Sequence, residues 1–223
     1  YMGAGAWNHD ATGTATDKMT GFSFDLENDL YLKEEIEGYF YIAVEHPLPI
    51  IPNIRFASTK LSNAGAGVTT VTVNIGGESF SAGTVLNTSL VLDSTDITLY
   101  YEILDNIVEF DLGLTARKLD GKFKTSSSMI TATETLDETI PMLYAALGFN
   151  LPITGLSFNA EGNFIGTSDV NHSDFLLKIK YELFSVFGIE GGYRAQKFEI
   201  DNSSSITANM KFSGVFAGIF FHF

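Results

Sequence analysis

Hydrophobic side chains recur at every second position along most of this chain. That is the spacing of an extended strand, whose successive side chains point to opposite faces. Between Asp174 and Leu183 one face reads Phe175, Leu177, Ile179, Tyr181 and Leu183, while the other carries Asp174, Leu176, Lys178, Lys180 and Glu182. Phe187, Ile189, Gly191, Tyr193 and Ala195 alternate in the same way with Gly188, Glu190, Gly192, Arg194 and Gln196. Val108 to Arg117 and Leu156 to Phe164 repeat the arrangement. The pattern predicts about ten strands, placed at about 1–9, 38–46, 53–62, 95–104, 107–119, 140–151, 156–167, 173–184, 187–199 and 207–223. Each is close to the roughly 9–11 residues that cross a bilayer when tilted.

The links between these strands alternate in length. After even strands they are short: 47–52 with Pro47, Pro49 and Pro52, then Asp105-Asn106, Pro152 to Gly155, and Ser185-Val186. After odd strands they are mostly longer, at about 10–37, 63–94, 120–139, 168–172 and 200–206. An even strand count, with short turns on one side and long loops on the other, is the layout of a closed antiparallel transmembrane β-barrel. The expected fold is therefore all-β, a single domain over 1–223 with short periplasmic turns and long outer loops. Twelve and eight strands are the alternative counts. In the second outer loop, Gly76-Gly77 offers a tight turn between two weakly alternating arms, which predicts a β-hairpin projecting at about 63–94. The acid-rich stretch from Asp25 to Glu37 reads as a short helix or plain loop.

A soluble sandwich or lipocalin-like barrel also alternates apolar and polar residues. Three features favour the membrane form. Link lengths alternate systematically. The polar faces carry small or neutral residues such as Gly113, Gly148, Gly188, Gly192, Asn159 and Asn163, which suit a narrow lumen. Aromatic residues gather at strand ends, with Phe149, Phe184, Phe187, Phe221 and Phe223 on the short-turn side and Phe164 and Phe175 on the other.

Composition sharpens this picture. Charged residues are 18% of the chain and hydrophobic ones 45%, against roughly 25% charged in an average soluble protein. No apolar run reaches the roughly 20 residues of a membrane helix. A net charge of −14 excludes nucleic acid as a partner, because phosphate binding needs clustered Lys and Arg. With no cysteine there is neither a disulfide framework nor a thiolate metal site. The chain opens directly on a strand-like segment at Tyr1, as expected of a processed mature protein. No cofactor is expected.

The chain ends Gly214-Val215-Phe216-Ala217-Gly218-Ile219-Phe220-Phe221-His222-Phe223. This resembles the terminal strand of outer-membrane barrels, and the resemblance implies that Gly218, Phe221 and Phe223 form the signal read by the barrel-assembly machinery. Phe216 departs from that pattern, where a polar residue is usual. More of the chain resembles an uncharacterised family of small proteobacterial outer-membrane proteins. The resemblance rests on Glu45-His46-Pro47-Leu48-Pro49, Pro52-Asn53-Ile54-Arg55, Asp96 to Glu102, Leu104-Asp105-Asn106 and Asp111 to Arg117. It implies a small barrel in the outer membrane of a Gram-negative cell and carries over no catalytic residue.

Alternation places Glu45, Arg55, Glu102, Glu109, Asp111, Arg117, Glu161, Lys178, Lys180, Glu182, Glu190 and Arg194 on the lumen side. Charges of both signs in a confined space pair, because an isolated buried charge is costly. Ten strands are too few for an open aqueous channel. The expected lumen is a salt-bridged plug, or a narrow polar path for ions or a small solute. The expected protein is accordingly non-enzymatic, either structural or a porin-like transport channel. Two other classes compete. An enzyme acting on lipid A or peptides at the outer rim would use His9, Asp10, His172 and Asp174. An adhesin would bind through the long outer loops. The acidic outer residues Asp25, Glu27, Asp29, Glu34, Glu35, Glu37, Glu134, Asp137 and Glu138 are candidate ligands for divalent cations bridging lipopolysaccharide. Outer-membrane lipids and lipopolysaccharide are the expected surroundings.

Overall fold

The computed structural model describes residues 1–18, 21, 23–48, 50–75, 77–167, 170–200 and 206–223. Pro49 and Gly76, named above in turns, lie outside these residues. Ten strands form the wall: β1 (Met2–Asp17), β3 (Glu35–Val44), β4 (Asn53–Thr59), β8 (Val85–Asp105), β9 (Val108–Ser126), β10 (Thr131–Leu151), β11 (Leu156–Gly166), β12 (Val170–Phe184), β13 (Phe187–Ile200) and β14 (Ile206–Phe221). All neighbours pair antiparallel. β1 closes the cylinder against β14, from Met2↔Phe221 to Asp17↔Ile206. Closure leaves no sheet edge to lipid, the condition for a sheet to cross a bilayer.

Two further strands join the wall. β2 (Ser23–Asp25) pairs with the outer end of β1. β5 (Ser62–Val68) continues β4 in unchanged register along β8, from Thr59↔Ser94 to Ser62↔Val91, so the two act as one long strand. Residues 63–94, where a projecting hairpin is expected, contain most of β5, a small hairpin of β6 (Val73–Ile75) with β7 (Glu78–Phe80), and the start of β8. Gly77 turns that hairpin at φ 79°. Val73, Ile75 and Phe80 are buried in the core. The stretch from Asp25 holds no helix. The Asp25 carboxylate accepts hydrogen bonds from the Glu27 and Asn28 amides and folds the chain into a turn.

The strands run well past the spans expected from sequence. β8 and β10 are 21 residues long and β9 is 19. The reason is an inversion of polarity along each strand. In the membrane-spanning half the outward residues are apolar and exposed, as at Ile97, Leu99, Leu112, Leu114, Leu143 and Val215. Beyond Ala116 the faces exchange character. Arg117 points inward, Lys118 outward, and Leu119 is buried inside. The outer half of the barrel is therefore apolar within and polar without, like a soluble protein. Its core joins Trp7, Leu26, Leu30, Leu61, Phe80, Leu86, Phe198 and Phe212. Each such side chain contributes roughly 1.5–3 kcal/mol on burial, so this half stays folded where no lipid supports it.

Candidate functional site

The lumen divides into layers. Outermost is the apolar core just described, which spans the barrel from wall to wall. Beneath it lies a buried ionic layer. Arg117 forms a two-point bond to Asp96, with Nε to Oδ1 at 2.8 Å and Nη2 to Oδ2 at 2.6 Å. The same Nη2 reaches Asp174 Oδ2 at 2.7 Å. Arg194 clasps Asp174 from the other side, with Nε to Oδ1 at 2.9 Å and Nη2 to Oδ2 at 2.7 Å, and Nη1 donates to Thr59 at 2.9 Å. Gln196 also donates to Asp174 at 3.2 Å. Two guanidinium groups thus hold two carboxylates, and the set is neutral.

A second layer follows toward the periplasm. Glu161 accepts from Lys178 at 2.7 Å and lies 3.2 Å from Arg55. Lys178 stands 3.9 Å from Glu190. Glu190 accepts from the hydroxyls of Tyr39 at 2.8 Å and Tyr41 at 2.7 Å. Lys178 and Arg55 also lie over the Tyr41 ring, at 4.9 and 5.2 Å from its centre. Only about 40 Å³ of free space remains between these two layers.

Below them the lumen opens into a vestibule of about 730 Å³ at the periplasmic end. Glu45, Glu102, Glu109, Asp111, Glu161 and Glu182 line it, with Lys180 as its cation. Glu45 accepts from Tyr100 at 2.8 Å, and Glu109 takes a hydrogen bond from Asn150. Lys180 sits over the rings of Tyr1 and Phe220, 5.2 and 5.5 Å from their centres.

All twelve residues assigned to the lumen side therefore lie in these layers. Sequence reading missed several of their partners. Asp96 was not singled out, and Asp174 was placed only at the outer rim. The hydroxyl chain from Thr98 to Thr115 at 2.8 Å, and on to Asn163 at 2.6 Å, was not seen either. Nor were the tyrosines that hold Glu190. The available signal was parity, because each of these lies on the same alternate face as a charge already assigned inward.

Of the four candidate catalytic residues, His172 and Asp174 meet at Arg117, but His9 and Asp10 stand apart from them. His9 is buried between Trp7 and Asn63, while its neighbour Asp10 points out of the barrel. Phe212 and Phe198 stand between His9 and His172, with ring spacings of 6.4, 6.0 and 3.8 Å along the stack. His172 Nε2 lies 2.7 Å from Arg117 Nη1. A guanidinium can only donate, so Nε2 spends its lone pair there and Nδ1 donates to the Lys197 carbonyl at 3.0 Å. This imidazole has no lone pair left to accept a substrate proton.

The acidic outer residues do not gather either. Among the described residues no three His, Asp or Glu come together as a metal site. Asp25 and Asp29 shape a turn, Glu37 accepts from Ser62, and Asp137 faces Lys118 at 3.5 Å. In the terminal strand, Phe216 is buried in the lumen and packs edge-on against Tyr39 at 5.6 Å. An apolar residue stands there because the position belongs to the base of the apolar core.

The fold is that of outer-membrane β-barrels. The outer-membrane protease OmpT of Escherichia coli superposes with a TM-score of 0.52 at 11% identity, over 99% of this chain and 96% of that one. The translocator domain of the autotransporter NalP from Neisseria meningitidis gives 0.43 at 11% identity, covering 99% and 88%. The Pseudomonas putida toluene transporter TodX gives 0.36 at 7%, covering 99% and 89%. No family model matches the chain, and no curated protein matches it in sequence. At these identities the likeness shows the fold alone. It is enough to correct one expectation. OmpT carries an enzyme on this architecture, so the barrel form gives no ground for the non-enzymatic reading, which does not stand. The chain has the fold of an outer-membrane β-barrel.

Proposed function

We propose that this chain is a closed structural barrel that holds a rigid, strand-built platform at the cell surface. One observation carries the reading. Trp7, Phe212 and Arg117 are fully buried at successive levels of the lumen, so side chains seal it from wall to wall. The long outer halves of β8, β9 and β10 give the platform its stiffness, and its polar outward face offers an interaction surface. We further assign the chain to the small proteobacterial outer-membrane family that its first half resembles.

The periplasmic vestibule favours a second reading, a narrow path for small cationic solutes, because its lining is mostly carboxylate. Conductance of the refolded protein in a planar bilayer separates the two. The structural reading expects a folded barrel, identified by heat-modifiable migration on a gel, that passes no steady current. Steady current from the unaltered chain, changed by Lys178→Ala, would replace it with the channel.

A further inference from the structure

The outward surface of the barrel is charged asymmetrically. Of the thirteen Lys and Arg residues, Arg55, Arg117, Arg194, Lys178 and Lys180 line the lumen. The others, from Lys18 to Lys211, all lie on the extracellular side of the apolar belt. None is on the outward surface at the periplasmic end. The same outer surface carries the exposed carboxylates Asp10, Asp120 and Asp137, so a site there depends on how individual cations are arranged.

One row of that surface has a specific arrangement. Register brings Ser173 of β12, Lys197 of β13, Lys211 of β14 and Thr12 of β1 side by side. The row faces outward, since Phe198 and Phe212 on the alternate face are buried in the core. Lys197 is the fourth residue beyond Tyr193, an exposed aromatic of the belt. At about 3.4 Å per residue on a strand tilted by about 40°, that is about 10 Å above it, the level of the lipid headgroups.

Lys197 and Lys211 are direct cross-strand partners. Like charges directly opposite in an antiparallel pair repel and destabilise the sheet. Glu199 pairs with Lys197, but among the described residues Lys211 has no ion pair. Asp10 lies one row nearer the membrane, opposite Ser213 rather than Lys211. A dianion between the two ammonium groups relieves the repulsion, and the Ser173 hydroxyl supplies a further hydrogen bond, while the Thr12 hydroxyl donates to the Lys211 carbonyl at 3.4 Å.

We propose that this row binds a phosphate of an outer-leaflet lipid, a phosphorylated glycolipid of the lipid A class. The lipid source is favoured over free phosphate by what lies directly beneath. Phe175, Tyr193 and Val215 on the same strands are exposed and apolar, and acyl chains rest there while the phosphate meets the lysines. The site stands on the outer wall and is independent of whether the lumen conducts.

The test uses the full chain in detergent micelles, with bis-phosphorylated lipid A as probe and the same glycolipid without phosphate as comparison. Binding is read by native mass spectrometry. Lys197→Ala with Lys211→Ala is expected to weaken binding about thirty-fold, near 1 kcal/mol for each lysine at a membrane surface. Lys122→Ala with Lys124→Ala, the same charge loss higher on β9, is expected to change it less than about two-fold. Without lipid, the Lys197/Lys211 variant is expected to keep its heat-modifiable migration and unfold no earlier than the parent. Equal loss in both double variants, unchanged binding in the first, or equal binding of the phosphate-free lipid would overturn the proposal.

Discussion

Arg117 and Asp96 face each other across β9 and β8 in a two-point bond of 2.8 and 2.6 Å, inside a barrel and beneath a layer of apolar side chains. Arg117 is fully buried, Asp96 nearly so, and Arg117 also holds Asp174. Removing one partner of such a set leaves the other charge stranded, at a cost of roughly 3–5 kcal/mol. Arg117→Met strands Asp96, while Asp174 keeps Arg194 and Gln196, and is expected to destabilise the barrel by about that amount. Asp96→Asn is expected to cost less, because Arg117 keeps Asp174. Urea unfolding followed by the fluorescence of Trp7, the only tryptophan, gives the order. Equal stability of Arg117→Met and the parent would mean that water reaches this layer.

Glu190 supports a separate prediction. It accepts hydrogen bonds from Tyr39 and Tyr41 at once. A hydrogen bond to a charged group is worth about 1.5–3 kcal/mol. Tyr39→Phe or Tyr41→Phe alone leaves one hydroxyl in place and is expected to cost the low end of that range. The double variant leaves the carboxylate to Lys178, at 3.9 Å, and is expected to cost more than the two single losses together. A simple sum would show that the two tyrosines act independently.

The membrane half of this fold could be read from the sequence because one rule holds through most of it, with Phe216, Phe220 and Met142 as inward exceptions. Apolar residues point to lipid and polar ones to the lumen, at a period of two. The outer half escaped because the rule reverses in mid-strand. On β9 the apolar positions shift from Leu112, Leu114 and Ala116 to Leu119, a change of parity that reads as the end of a strand although the ladder continues to Ser126. The site was half visible for a related reason. Arg117 and Arg194 declare themselves as inward charges between apolar neighbours. Asp96 follows Ser94 and Thr95, where no apolar frame marks its face, and its partner is 21 positions away. The base of the apolar core hid behind Phe216, which looks like an irregular terminal strand until Tyr39 is seen against it.

Glycine positions test the tight packing of the wall. A Cβ built on Gly192 would stand 1.9 Å from the Leu177 carbonyl oxygen, a ladder atom that cannot withdraw without breaking the sheet. Gly192→Ala is expected to destabilise by about 1–3 kcal/mol, the usual cost of overpacking. At Gly162 the nearest atoms to a new Cβ are 4.0 Å away, so Gly162→Ala is expected to be neutral or stabilising by up to about 1 kcal/mol. The temperature at which each variant loses its compact gel migration measures the difference. The reverse order would show that the lumen face of β13 has room to relax.

The lumen has three seals in series, the innermost being the layer of Glu161, Lys178 and Glu190, and that makes a prediction about order. The outer seal is apolar, with Trp7 and Phe212 at its base; the middle one is ionic, centred on Arg117 and Arg194. A hydrated ion needs all three opened. Trp7→Ala with Phe212→Ala leaves cavities that cost roughly 3–5 kcal/mol each, yet the guanidinium layer still fills the section beneath. Arg117→Ala alone leaves the apolar core above intact. Each of these variants, where heat-modifiable migration proves it folded, is expected to remain silent in a planar bilayer. The triple variant combined with Lys178→Ala, which loosens the innermost layer, is expected to conduct, and to prefer cations because the vestibule below is lined mostly by carboxylates. Current through either partial variant would show that a single layer seals this barrel and would locate it.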